Sequence, residues 1–129
     1  MIIEDYVSFE IAKLLKEKGF VGEREIGCRC GFYEQNKEYP NQINLVYDDL
    51  NNSELECNEC LRFTLQMAMK WLREVHNIFI QVELYSKYND YCFELFQNTH
   101  RLILKQHETY NSYEEAVEAA LEYTLKKLL

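Results

Sequence analysis

Around Asn77 the apolar residues change their spacing, and that change restricts the chain more than any other feature. Up to His76 they recur at helical intervals: Leu61, Leu65, Ala68, Met69, Leu72 and Val75, joined by Met67 and Trp71, fill a broad arc, and Arg62, Gln66, Lys70, Arg73 and Glu74 take the remaining wedge. From Ile78 onward, Ile78, Ile80, Val82 and Leu84 alternate with Phe79, Gln81, Glu83 and Tyr85, the period of a strand with one buried face. A helix over 60–76 thus runs straight into a strand, with Asn77 as the C-cap between them. Phe63 falls on the polar side of that helix and is expected to meet the region before it.

The alternation continues. SKYND leads into YCFELF (91–96) and QNTH into RLILK (101–105), so the simplest arrangement over about 78–105 is a three-stranded antiparallel meander with turns made by Asn and Asp. A last helix over 112–128 is marked by Ser112 and Glu115 as a capping-box pair and by lysines in its final turn. Its apolar stripe of Tyr113, Ala116, Val117, Ala120, Leu121, Thr124, Leu125 and Leu128 carries alanines where a helix lies close to a sheet. A first helix over 8–18 begins at Ser8, buries Ile11, Leu14 and Leu15, and stops at Gly19 in the sequence form of a Schellman motif. All four glycines and the one proline lie in the front of the chain, and 19–56, with short apolar runs such as INLVY (43–47) between acidic and amide-rich stretches, reads as an irregular region of loops with a short strand or hairpin. A single α+β domain over 1–129 is the expectation, its sheet packed by the central and C-terminal helices.

Charge narrows the function classes. The net charge is −8, and residues 1–56 hold twelve acids against six bases, while 57–129 hold ten against eight. An acidic field repels phosphate backbones and anionic lipid, and no basic cluster offsets it, so neither nucleic acid nor a membrane is the expected partner. The start, MIIEDYVSFE, has acids where a secretory leader needs a basic start and an apolar run, which places the chain in the cytoplasm as an expectation. An odd count of five cysteines argues against a disulfide framework there.

Four of those cysteines form two close pairs, Cys28 with Cys30 and Cys57 with Cys60, and four thiolates can hold a tetrahedral structural zinc. Such an ion would stabilise a glycine-punctuated region with little core of its own. Against it, the first pair is separated by one residue where a knuckle has about two to four, and cysteine is often buried without any function. A redox reading would place Cys57 at the mouth of the second helix, but Glu54, Glu56 and Glu59 disfavour a thiolate there. His76, His100 and His107 fall at a helix end, a turn and a strand end. No nucleophile elbow, HExxH, P-loop or dinucleotide fingerprint occurs, and the acid pairs at 48–49 and 114–115 suit solvated surface and a helix start. No catalytic residue is therefore expected. Tyr33, Tyr39, Tyr47, Tyr85 and Tyr88 fall in loops or on strand faces that need not be core, and form a candidate contact surface.

Three stretches, VSFEIAKLLKEKGF (7–20), WLREVHNI (71–78) and YNSYEEAVEAALEYTLKKL (110–128), resemble a group of small uncharacterised proteins encoded in phages, prophages and mobile elements of Bacteroides-type gut bacteria. The matching blocks cover about a third of the chain and reach towards both ends. Members often carry A-P-T-Q-like residues near the start of the central helix, where this chain has CNECLRFTLQ, so the cysteine pairs do not look like a shared feature. The resemblance implies a phage- or mobile-element-type protein and assigns no activity or site residue. The order helix, strand, strand, strand, helix from residue 60 also resembles double-stranded RNA-binding domains, but those place lysines at the start of the last helix, where this chain has SYEEAVEAA. The expected function is non-enzymatic contact with a host or phage protein through the acidic, aromatic front region. A zinc-stabilised module and a nucleic-acid binder are the alternatives.

Overall fold

The computed structural model describes residues 5–20, 31–47, 57–85, 90–105 and 108–129. They group into two compact units, Met1–Thr64 and Leu65–Leu129, a division that no Gly-, Pro- or Ser-rich linker announces in the sequence. The fold class is α+β, with three helices and two three-stranded antiparallel sheets among the described residues.

In the first unit, α1 (Phe9–Glu17) starts where expected, because the Ser8 hydroxyl accepts from the Ile11 N–H at 3.4 Å. Gly19, at φ +98°, ends it: the Gly19 N–H donates to the Lys16 carbonyl at 3.2 Å and the Phe20 N–H to the Leu15 carbonyl at 2.9 Å, the paired bonds of a Schellman stop. Ile11, Ala12 and Leu15 are buried. The front region holds the short hairpin expected of it, with INLV as its second strand, and more besides: β1 (Phe32–Gln35), β2 (Ile43–Val46) and β3 (Glu59–Leu61) form a sheet in the order β2-β1-β3 among the described residues. These strands are three or four residues long, too short for a period of two to stand out. The sheet exists because its members pair across long loops: Phe32 faces Val46 and Leu61, and Tyr33 faces Leu45 and Cys60.

β3 takes residues 59–61 out of the stretch expected to open the second helix, which begins at Leu65 instead. Pairing with β1 outweighs the helical spacing of Leu61. Phe63 does meet the front region, as expected. It is 1% exposed, its ring stacks on Phe20 at 3.9 Å, and its carbonyl accepts from the Val7 N–H at 2.9 Å.

The second unit runs α2 (Leu65–His76), β4 (Ile78–Tyr85), β5 (Asp90–Gln97), β6 (Arg101–Lys105) and α3 (Tyr113–Tyr123), closing with a π-helical turn over Thr124–Leu128. The meander is the expected one, in the order β4-β5-β6. Asn77 sits at φ +54° and turns the chain from helix to strand, and its carbonyl accepts from the Asn98 N–H at 3.0 Å. The buried side of α2 is narrower than the sequence arc: Leu65, Ala68, Met69 and Leu72 are buried while Val75 is exposed. Phe93, Leu95 and Ala120 form a core cluster, with Ile80 and Val82 packed against it. A register shift beside Leu95 and Phe96 lets consecutive residues Ile103 and Leu104 both reach that cluster.

Ser112 caps α3, its hydroxyl accepting from the Glu115 N–H at 3.1 Å, and the Glu115 carboxylate reaches back one residue further than a standard box, to the Asn111 N–H at 3.2 Å. The stripe Ala116, Val117, Ala120, Leu121, Thr124 and Leu125 is fully buried. The Thr124 hydroxyl donates to the Ala120 carbonyl at 2.8 Å, and the helix widens from that residue onward.

Candidate interaction surface

The exposed aromatic residues of the first unit gather along β2. The hairpin leading into it is built by Asn36, whose side-chain oxygen accepts from the Glu38 and Tyr39 N–H groups at 2.8 and 3.0 Å, while the Gln42 N–H returns to the Tyr39 carbonyl at 2.8 Å. Gln35 braces the same turn through its amide, which donates to the Pro40 carbonyl at 2.9 Å. Tyr39 is thereby held at the hairpin tip, 60% exposed. Leu45 stands on the face shared with Tyr33 and Cys60 and is 41% exposed.

Tyr47, just past β2, is 59% exposed and yet fixed. Gly31 stands at φ +76°, so close to this segment that a Cβ there would lie 2.8 Å from the Val46 carbonyl oxygen and 3.2 Å from the Tyr47 ring. The Arg62 guanidinium donates to the Tyr47 hydroxyl at 2.7 Å, lies 5.6 Å from that ring's centroid, and stacks over the Tyr6 ring at 4.0 Å. The Arg62 N–H in turn donates to the Gly31 carbonyl at 3.1 Å. Tyr47 therefore has its hydroxyl satisfied and its ring seated while more than half of its surface stays open. A rigid amphipathic ring of this kind makes contact at small entropic cost.

Other tyrosines of the expected surface fall differently. Tyr33 is half-buried: its hydroxyl donates to the Val7 carbonyl at 2.6 Å and Phe9 meets its ring edge-on at 5.9 Å, so it joins the start of α1 to β1. Tyr85 is exposed at the end of β4, in the second unit, and Tyr88 lies outside the described residues. Tyr6 and Arg62 escape sequence reasoning as parts of a site, because an isolated arginine beside an expected helix start gives no signal that could find them.

Of the cysteines expected as metal ligands, Cys28 and Cys30 lie outside the described residues. Cys57 is an exposed thiol in the turn before β3, not at a helix mouth, and Cys60 is buried on β3 opposite Tyr33. The pairing of β1 with β3 puts Gly31 opposite Arg62 at one end and Asn58 beside Gln35 at the other, so Cys57 lies beyond the end remote from Gly31. Burial pushes the Cys60 thiol above its ordinary value, with Lys16 and Lys13 pulling it partly back. The Lys16 ammonium also donates to the Glu59 carbonyl at 2.6 Å, tying α1 to β3. Among the described residues, no three His, Cys, Asp or Glu side chains are placed to hold one metal ion.

In the second unit, Trp71 meets the His76 ring edge-on at 4.7 Å. His76 Nε2 is buried and has no hydrogen-bond partner among the described residues. A cavity of about 470 Å³ opens between the start of β4, the β5–β6 turn and the C-terminal turn, with Gln97 and Arg101 among its polar lining. His76 itself lines this cavity, together with Ile78 and Leu128, and no Asp or Glu side chain among the described residues lines it. No helix among the described residues is long and apolar enough to cross a membrane. Set beside known protein families, curated proteins and solved structures, the chain finds no match.

Proposed function

We propose that this chain is a non-enzymatic binding protein of the phage or mobile-element type, acting in the cytoplasm by contact with another protein through Tyr39, Leu45 and Tyr47. The observation that carries this reading is Tyr47, an exposed ring held in place by Gly31 beneath it and Arg62 at its hydroxyl. A solvent-facing tyrosine with no task has no need of such a seat, whereas centrally placed, preorganised tyrosines carry much of the energy of protein interfaces. The exposed Cys57 thiol suits a reducing compartment.

The test compares capture from host cells by the unaltered chain with capture by Tyr47→Ala and Leu45→Lys chains. Loss of the same identified protein from both variants, with folding intact by circular dichroism, supports the reading. Undiminished capture by both removes it.

A further inference from the structure

We infer that the partner supplies an extended, basic segment, which adds to the outer edge of β2 as a further strand. The inference rests on β2 being the contact surface and names what that surface would take. β2 is an edge strand, since the sheet order is β2-β1-β3 among the described residues. Its free hydrogen-bonding groups follow from the ladder. The Asn36 N–H donates to the Gln42 carbonyl at 2.9 Å, so this pair is a hydrogen-bonded one. In an antiparallel ladder such pairs alternate with open ones, so the next residue, Ile43, and then Leu45 turn their N–H and C=O groups away from β1.

Sheet edges are commonly blunted by a lysine, a proline or an inward charge. β2 reads Ile-Asn-Leu-Val and carries none of these. Its backbone offers two donors and two acceptors, framed by Tyr39 before the strand and Tyr47 after it, which is the layout that strand-adding peptides use: main-chain bonds for affinity and side-chain contacts for choice.

Charge selects the occupant. Residues 31–62, from the start of the sheet to the arginine seated on Tyr47, hold seven acids against the two bases Lys37 and Arg62. A second copy of the chain would bring the same excess of negative charge to the edge, and single-stranded nucleic acid, although suited to exposed tyrosines, would bring phosphates. A segment with lysine or arginine alternating with apolar residues meets both the edge and its field.

The experiment uses the full chain and a fluorescein-labelled six-residue peptide alternating lysine and valine, read by anisotropy. Controls are the same peptide with a central proline, a glutamate–valine peptide and an oligothymidylate. Ile43→Pro acts on the edge alone, removing an outward N–H at the strand's first residue, where proline is tolerated, and Leu45→Pro removes the second outward N–H together with a contact side chain, for which Leu45→Ala, keeping the N–H, is the control. Amide spectra confirm that each retains the β1–β2 pairing.

The lysine–valine peptide is expected to bind saturably and to weaken at least about tenfold with the central proline, with either proline variant and with added salt. Equal binding by the proline-bearing peptide and by both proline variants overturns strand addition, and leaves the contact surface standing if Tyr47→Ala still abolishes capture from cells. Tighter binding of the glutamate peptide or of oligothymidylate overturns the basic segment. So does self-association that Leu45→Pro abolishes. No binding by any probe overturns the inference as well.

Discussion

Replacing Gly31 by alanine should unseat Tyr47 and loosen the first sheet at once. The backbone there is left-handed, at φ +76°, a region that costs a residue with a Cβ about 1–2 kcal/mol more than glycine. The new methyl would also stand 2.8 Å from the Val46 carbonyl oxygen, a backbone atom of β2 that cannot retreat without straining the pairing of Val46 with Phe32. Relieving an overpacked contact of this kind adds about 1–3 kcal/mol. The expected loss is therefore about 2–5 kcal/mol. It is measured by urea unfolding followed with far-ultraviolet circular dichroism, and by amide exchange at β1 and β3. Tryptophan emission is no guide, because Trp71 belongs to Leu65–Leu129. A double-mutant cycle with Tyr47→Ala separates the causes. The ring, 3.2 Å from the methyl, can swing aside, so removing it should recover less than about 1 kcal/mol. A loss under about 0.5 kcal/mol for Gly31→Ala, or its full recovery in the Tyr47→Ala background, would refute the reasoning.

Other substitutions test other elements. Thr99 sits at φ +68° in the β5–β6 turn, beside Asn98 at +54°; Thr99→Gly should stabilise the protein by about 1 kcal/mol in urea unfolding, and destabilisation would show that the turn is not strained. The Cys60 thiol, raised above its ordinary value of 9.0 by burial, holds its proton more tightly folded than unfolded. Its contribution to stability is thus complete below about pH 9 and lost as pH climbs from there through the folded value, so Cys60→Ala should flatten the alkaline limb of the stability profile, and an unchanged limb would contradict this. Exposed Cys57 should react with a disulfide reagent well before buried Cys60, as mass mapping of the labelled chain would show. Protein purified without added zinc should carry less than about a tenth of an equivalent, because a four-thiolate site needs Cys57 and Cys60 to turn their sulfurs to one ion, whereas Cys57 is exposed in the turn before β3 and Cys60 is buried on that strand opposite Tyr33. Near-stoichiometric zinc that Cys57→Ser removes would show this reasoning to be mistaken.

Legibility in the sequence followed the range of the interactions. Ser8, Gly19, Asn77, Ser112 and Glu115 act within a few residues of themselves, and each stands where local rules place it. The β4–β5–β6 meander was equally readable, because its period of two runs through strands of five to eight residues. Of the first sheet only INLVY, which supplies β2, was readable. The sheet's strands have three or four residues and meet across loops, so that Tyr33 opposite Cys60 is a fact about residues 27 positions apart, with no periodic signature. The same blindness moved the start of the second helix, since Leu61 fits a helical arc and a strand equally well on a single turn's evidence. Exposed Tyr39 and Tyr47 could be anticipated from their surroundings, but not their framework: the Arg62 side chain between Tyr6 and Tyr47 joins residues 41 positions apart.

The open margin of β2 also bears on how the molecule keeps to itself. No charged side chain lies within Ile43–Val46 to ward off a neighbour, so mutual repulsion among carboxylates elsewhere in the unit becomes the guard against stacking into fibrils. That guard is chemical, not steric, and mild acid dismantles it. As the medium approaches the point of zero net charge, unliganded molecules should begin to assemble through this margin, and an occupied one should resist. Acid-triggered turbidity is then a simple gauge of whether the margin is filled.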